Sequence, residues 1–184
     1  MWQASLALPD AARRDLWALL SVEERAQAER YRSERDRERF AAAHGVLRLL
    51  LADYLTVAPA DLRFVAGPHG KPDVVRSSGR AGSRKLRFNL AHSARLVVCV
   101  LGAGREVGVD VEDLGRRPIE PGLVTRYFAP SEVAGIDVGA AGWERRFLSY
   151  WTLKEAYLKA RGLGISVHLA DVAFALDAPG TRTN

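Results

Sequence analysis

The chain has 184 residues, 48% hydrophobic and 27% charged, a mixture that buries a core and excludes fibrous or disordered classes. A formal charge of +5 and a sequence pI near 9.7 favour anionic partners: phosphate-rich ligands, nucleic acid or an acidic protein. The single cysteine, Cys99, rules out an internal disulfide and a thiolate metal site, and without a signal-like start or an apolar run of ~18 residues the expectation is a cytoplasmic protein with no membrane span.

Residues 10–55 read as helical. Ser21 followed three positions later by Glu24 is a capping-box pattern. Residues 23–39 carry both signs of charge, as a solvated, salt-bridged helix does, and from Phe40 onward Val46, Leu47, Leu49 and Leu50 give the helix a buried face. A short strand is expected at 62–65, then a Gly/Pro turn at 66–73 that holds Lys71 between Gly70 and Pro72. A lysine in such a turn is a solvated surface residue or a cation offered to a phosphate. Residues 77–85 read as a flexible basic insertion.

Residues 86–101 read as two strands joined near 92–95, the second buried on both faces, with Cys99 as a small hydrophobe inside it. In 107–112 three valines alternate with Gly108, Asp110 and Glu112, a strand pattern that puts two carboxylates on one face. Like charges held so close call for a cation between them. After a loop at 113–122, a short helix is expected at 123–128, and another acid-started turn at Ser131 and Glu132. A long helix is expected at 147–161, and strand character over 165–176.

That long helix stacks Trp151, Glu155 and Lys159 at four-residue spacing along one face. Alone, the row is an ordinary helix with a core tryptophan and a Glu-to-Lys pair worth a few tenths of a kcal/mol. Joined to Asp110 and Glu112, Glu155 completes an all-oxygen set suited to magnesium, with manganese a second candidate.

Three runs, Phe88 to Ser93, Gly108 to Glu112 and Trp151 to Lys159, together with Gly70-Lys71-Pro72, resemble the 4'-phosphopantetheinyl transferases, particularly the type acting on non-ribosomal peptide and polyketide synthases. The resemblance covers the chain from about residue 21 onward. It implies an α+β fold of two similar halves, 1–104 and 105–184, each a small antiparallel sheet packed on a long helix, with coenzyme A and magnesium between them. It also implies transfer of the 4'-phosphopantetheine arm of coenzyme A to a serine of an acidic acyl or peptidyl carrier domain, by a monomer.

By the same resemblance, Asp110, Glu112 and Glu155 hold the metal, and His92 and Lys159 contact phosphates, which makes Glu155, Lys159 and His92 the catalytic set. Arg39 is the candidate for the 3'-phosphate. Gly70, Lys71 and Pro72 lie along the nucleotide, beside Asn89, Ala91, His92 and Ser93. Residues 162–169, with apolar Leu163 and Ile165, would receive the carrier. Two departures stand out. Ala91 replaces a serine found in many relatives and leaves only a backbone N–H there, and relatives of this type continue for several strands past the position of Leu176, so the second half is expected to be shortened. The rival readings are a relative that binds coenzyme A without turnover and a basic nucleic-acid-binding module. No stretch interleaves aromatic with basic residues as the latter would require.

Overall fold

The computed structural model describes residues 1–67, 69–75, 85–115, 118–164 and 167–176. It opens with β1 (Trp2–Ser5), a strand too exposed to alternate and therefore silent in the sequence. The helical stretch that follows is three helices: α1 (Asp10–Leu19), α2 (Val22–Glu29) and α3 (Glu34–Leu55). Two serines divide it. Ser21 and Glu24 form the full capping box, with Ser21 N donating to Glu24 Oε2 at 2.8 Å, and Ser33 Oγ accepts from Asp36 N to start α3.

The strands β2 (Phe64–Ala66) and β3 (Pro72–Val74) pair antiparallel around the Gly/Pro turn. Next come β4 (Leu86–His92) and β5 (Leu96–Ala103), an antiparallel hairpin with His92 opposite Val97. β1 pairs with the other edge of β5, so the sheet order is β1-β5-β4. β5 is central, and Val97, Val98 and Cys99 are each at most 6% exposed, which is burial on both faces. One face packs on α3 through Leu47, Leu51, Phe88 and Cys99. The other holds Ala91 and Val98 against Val109 and Val111. Burial pushes the Cys99 thiol up to about 11, so it stays protonated and unreactive.

The chain then forms α4 (Gly122–Tyr127), α5 (Pro130–Val133) and the long α6 (Trp143–Arg161). α6 begins four residues earlier than its apolar rhythm suggests, because Gly142, at φ 85°, starts it without a side-chain cap. Phe128, Phe147, Tyr150 and Trp151 form its aromatic core, with the Phe147 and Trp151 rings stacked 5.9 Å apart.

The α+β class holds, and both small antiparallel sheets of the described residues lie before residue 104. Among the described residues beyond 104 there is no strand, only an isolated bridge between Val138 and Ala140. Residues 107–112, expected as a strand, form none, and side chains rather than a neighbouring strand hold them: Val109 N donates to Asn89 Oδ1 at 2.9 Å. Residues 172–176 likewise lack a ladder. Lys154 and Glu132, both fully buried and 2.5 Å apart, take their place, Lys154 donating to the carbonyls of Leu169 and Val172 while Phe174 N donates to Glu132 Oε1. The basic insertion, apart from Lys85, lies outside the described residues, as does Ile165.

A second buried pair anchors the first half. Arg48, 1% exposed, donates to Glu24 Oε2 at 2.7 Å and to the Pro59 carbonyl at 2.7 Å. Glu24 thus departs from the solvated character of its charged stretch. Burial alone would raise its carboxyl, but His44, the Ser21 amide and Arg48 outweigh burial and hold it down to about 2. A carboxyl depressed in the folded state contributes stability that is fully present above its unfolded value of 4.5 and lost as pH falls towards the folded one. Denaturant midpoints should therefore fall between about pH 5 and pH 2, and Glu24→Gln should flatten that slope. The same substitution should cost about 3–5 kcal/mol at neutral pH, because Arg48 is left buried and unpaired.

Candidate active site

A cavity of about 1160 Å³ opens between α2, α3, the β2–β3 turn and the end of β4. That is ample for a nucleotide-sized ligand. Phe40, His44, Gly70, Pro72, Asn89 and His92 are among its walls. Gly70 has φ 80°, a conformation that favours glycine, and Gly70 N to Gly67 O with Gly67 N to Lys71 O closes the turn. Lys71 does not line the cavity. Its ammonium instead donates to Glu106 Oε2, Val107 O and Ala160 O, at 2.9, 3.0 and 2.9 Å.

The end of β4 places the other expected nucleotide contacts unevenly. Asn89 is buried and spends its carbonyl on Val109 N. Ala91 points into the core with Val98 and Val109, so it offers a ligand no side chain. Ser93 is buried in the hairpin turn, its N–H donating to Leu96 O at 2.8 Å. His92 stands at the solvent-facing end of the strand. Desolvation lowers its imidazole below the ordinary value, and the charges of His44, Arg39 and Lys159 lower it further, against a contact with the Ser93 backbone that raises it. Arg39 and Lys159 near one histidine make an electropositive pocket. Arg39 is itself tied to Asp36 at 2.9 Å.

His44 is the member that sequence reasoning missed. It stacks on Phe40 at 3.9 Å and reaches Glu24 at 3.3 Å. The signal was its position four residues after Phe40, on the same helical face.

The carboxylates come together only in part. Gly108 lies so close to α6 that a Cβ there would overlap the Ala156 carbonyl oxygen and sit 2.9 Å from Ala160 Cα. This contact brings Asp110 onto α6, where Lys159 Nζ meets Asp110 Oδ1 at 2.5 Å. Burial raises the Glu155 carboxyl, Lys159 lowers it and Asp110 raises it, so the three groups share one field. Glu112 is exposed, beside a second hollow of about 720 Å³ walled by Leu114, Ile119, Phe147 and Trp151. Among the described residues no three metal-ligating side chains are gathered into one cluster, so the expected Asp110, Glu112 and Glu155 set is not assembled. The donor chemistry nevertheless suits a hard cation. Asp110 Oδ2 is buried without a hydrogen-bond partner among the described residues, next to a carboxylate that it repels.

Two family models divide the chain between them: "4'-phosphopantetheinyl transferase, N-terminal" matches residues 9–103, and "4'-phosphopantetheinyl transferase superfamily" matches residues 106–184. The chain belongs to the 4'-phosphopantetheinyl transferase superfamily. It is 36% identical to the 4'-phosphopantetheinyl transferase HetI of a Nostoc species, over 96% of this chain and 73% of that protein. A phosphopantetheinyl transferase of a Thraustochytrium species is 38% identical, over 95% of this chain and 63% of its own length. With the 4'-phosphopantetheinyl transferase psf-1 of Bacillus pumilus the identity is 30%, over 89% of this chain and 67% of that protein. The chain thus spans 63–73% of the length of these relatives.

The close approach at Gly108 yields a test of the superfamily member's geometry. Gly108→Ala should force the 107–110 segment off α6, costing about 1–3 kcal/mol and separating Asp110 from Lys159. A chemical denaturation series with the double variant Gly108→Ala, Asp110→Asn would show it: once the segment has moved, the second substitution should add little.

Proposed function

We propose that the chain transfers the 4'-phosphopantetheine arm of coenzyme A to a serine of an acyl or peptidyl carrier domain, with magnesium or manganese. The observation that supports this best is the convergence of Asp110, Glu155 and Lys159 on a field that reaches His92 at the mouth of a nucleotide-sized cavity.

In this reading the nucleotide occupies the cavity beside Gly70, Pro72 and Phe40, its phosphates drawn to His92, His44 and Arg39. The carrier serine attacks the β-phosphorus of coenzyme A. A new P–O bond forms as the bond to the bridging oxygen breaks, and adenosine 3',5'-bisphosphate leaves. Negative charge builds on the leaving α-phosphate, and catalysis consists of positioning and neutralisation. Lys159 supplies one fixed positive charge to that oxygen. Glu155, one turn before Lys159, or a water held at the cation site would take the serine proton. A divalent cation would be held by Asp110 and Glu155, with Glu112 two residues along the same segment, and would supply charge neutralisation of the pyrophosphate.

The formal charge of +5 supports an acidic carrier domain as partner, through long-range steering. The expected receiving segment is only partly available for it: Leu163 is half-buried, with its N–H donating to Leu158 O at 3.2 Å.

The reading is tested by transfer from a fluorescent coenzyme A to a purified apo carrier domain across a magnesium titration. Label incorporation should require the metal, and Glu155→Gln and Asp110→Asn should each lower kcat by about a hundredfold or more. A folded chain that binds coenzyme A tightly yet labels no carrier at any magnesium concentration would instead establish the non-transferring relative. Raising salt from about 50 to 500 mM should raise KM for the carrier more than it lowers kcat, since screening acts on encounter.

A further inference from the structure

Lys71 sits between two residues that wall the nucleotide cavity, yet its own side chain turns away from it. Its ammonium has three protons and three protein acceptors: the Glu106 carboxylate, the Val107 carbonyl and the Ala160 carbonyl. No proton remains for a phosphate. The side chain is 17% exposed, and its stem runs along the end of α6, where Lys71 Cδ lies 3.4 Å from the position of a Cβ on Gly162.

The three acceptors belong to the two elements that carry the candidate catalytic groups. Glu106 and Val107 lead into Gly108 and Asp110. Ala160 follows Lys159 in the last turn of α6, where carbonyls lack helical partners and a cation is favoured. A second chain of ion pairs returns to the same turn. Glu106 Oε1 accepts from Arg87 Nε at 2.8 Å, and Arg87 Nη1 donates to Asp73 Oδ2 at 2.8 Å, two residues after Lys71. Lys85 also meets that carboxylate. Lys71, Glu106, Arg87 and Asp73 therefore close a ring that fastens the β2–β3 turn to the 106–110 segment, while the Lys71 bond to Ala160 fastens both to α6.

We propose that Lys71 is a positioning residue: it holds the C-terminal turn of α6, and with it Lys159 and Glu155, in register with the turn that receives the nucleotide. It does not touch the phosphates. The catalytic meaning of this clasp rests on the proposed transferase reaction, but the clasp itself does not.

The test uses Lys71→Met, which keeps the stem and removes the ammonium, and, should the first variant fold poorly, Glu106→Gln, which weakens the acceptor shared by Lys71 and Arg87 and leaves the Lys71 bonds to the Val107 and Ala160 carbonyls in place. Three quantities are measured: coenzyme A affinity by calorimetry, kcat with an apo carrier domain, and amide exchange at Gly162 and Leu163. In Lys71→Met the dissociation constant for coenzyme A should stay within about threefold while kcat falls about tenfold to a hundredfold. Exchange at the two amides should accelerate, and Glu106→Gln should move kcat and exchange in the same directions by less. Unchanged exchange, with coenzyme A affinity lost in step with kcat/KM, would overturn the proposal and make Lys71 a ligand. A wild-type chain that neither binds coenzyme A nor labels a carrier would sink the transferase reading alone, and the exchange data would still decide the clasp.

Discussion

The approach of the Gly108 backbone to α6 is the constraint on which the rest of the site depends. Only a residue without a Cβ lets an extended segment lie directly on the carbonyls of Ala156 and the backbone of Ala160. From that contact the position of Asp110 follows, two residues on and facing Lys159. The other side of the segment is fixed by the sheet: Val109 N is held by Asn89, and Val109 and Val111 pack on Ala91 and Val98. The segment is thus a seam between a sheet and a helix. Neither partner alone would place the carboxylate.

Ion pairs in this protein sort into two kinds by how completely they are satisfied. Arg48 with Glu24, and Lys154 with Glu132, are buried pairs whose charged atoms are surrounded by backbone partners. Such pairs add little net stability over apolar packing, but removing one partner is costly, so they fix which segments meet. The pair of Lys159 and Asp110 differs. Lys159 is 32% exposed, Asp110 Oδ2 is left without a partner among the described residues, and Glu155 adds repulsion nearby. A structural pair would close that account within the protein. This one leaves a buried carboxylate oxygen without a hydrogen-bond partner among the described residues.

What the sequence made legible follows from what periodicity encodes. The continuous apolar run of 96–101, joined near 92–95 to the strand before it, marked a real hairpin because both of its strands find partners locally. Alternation in 107–112 suggested a strand that the structure does not form, because periodicity reports which side chains pack and not what satisfies the backbone. Asn89 satisfies it, a side chain twenty positions away whose role no local pattern declares. Lys154 falls within the helix expected at 147–161, yet its burial against Glu132 and the 169–174 backbone is a tertiary fact. Lys71 shows the limit most clearly. Its turn was evident from composition, and the direction of its side chain was set by carbonyls of α6 about ninety residues later. His44 was missed because it carries no motif. Only its stack on Phe40 and its nearness to His92 bring it into the site.

The Lys159–Asp110 pair also bears on how the proposed reaction begins. With its ammonium on Asp110, the lysine neutralises a carboxylate that the proposed cation would need. The Asp110 carboxylate is only partly satisfied by this pair, so ligands that satisfy both groups can replace it. A pyrophosphate drawn in by His92, His44 and Arg39 offers Lys159 a more highly charged partner, and a cation offers Asp110 and Glu155 the same. The two exchanges favour each other, because each ligand removes the charge that the other would otherwise face. Nucleotide and metal should then bind cooperatively, with the Lys159–Asp110 pair as the contact that both displace.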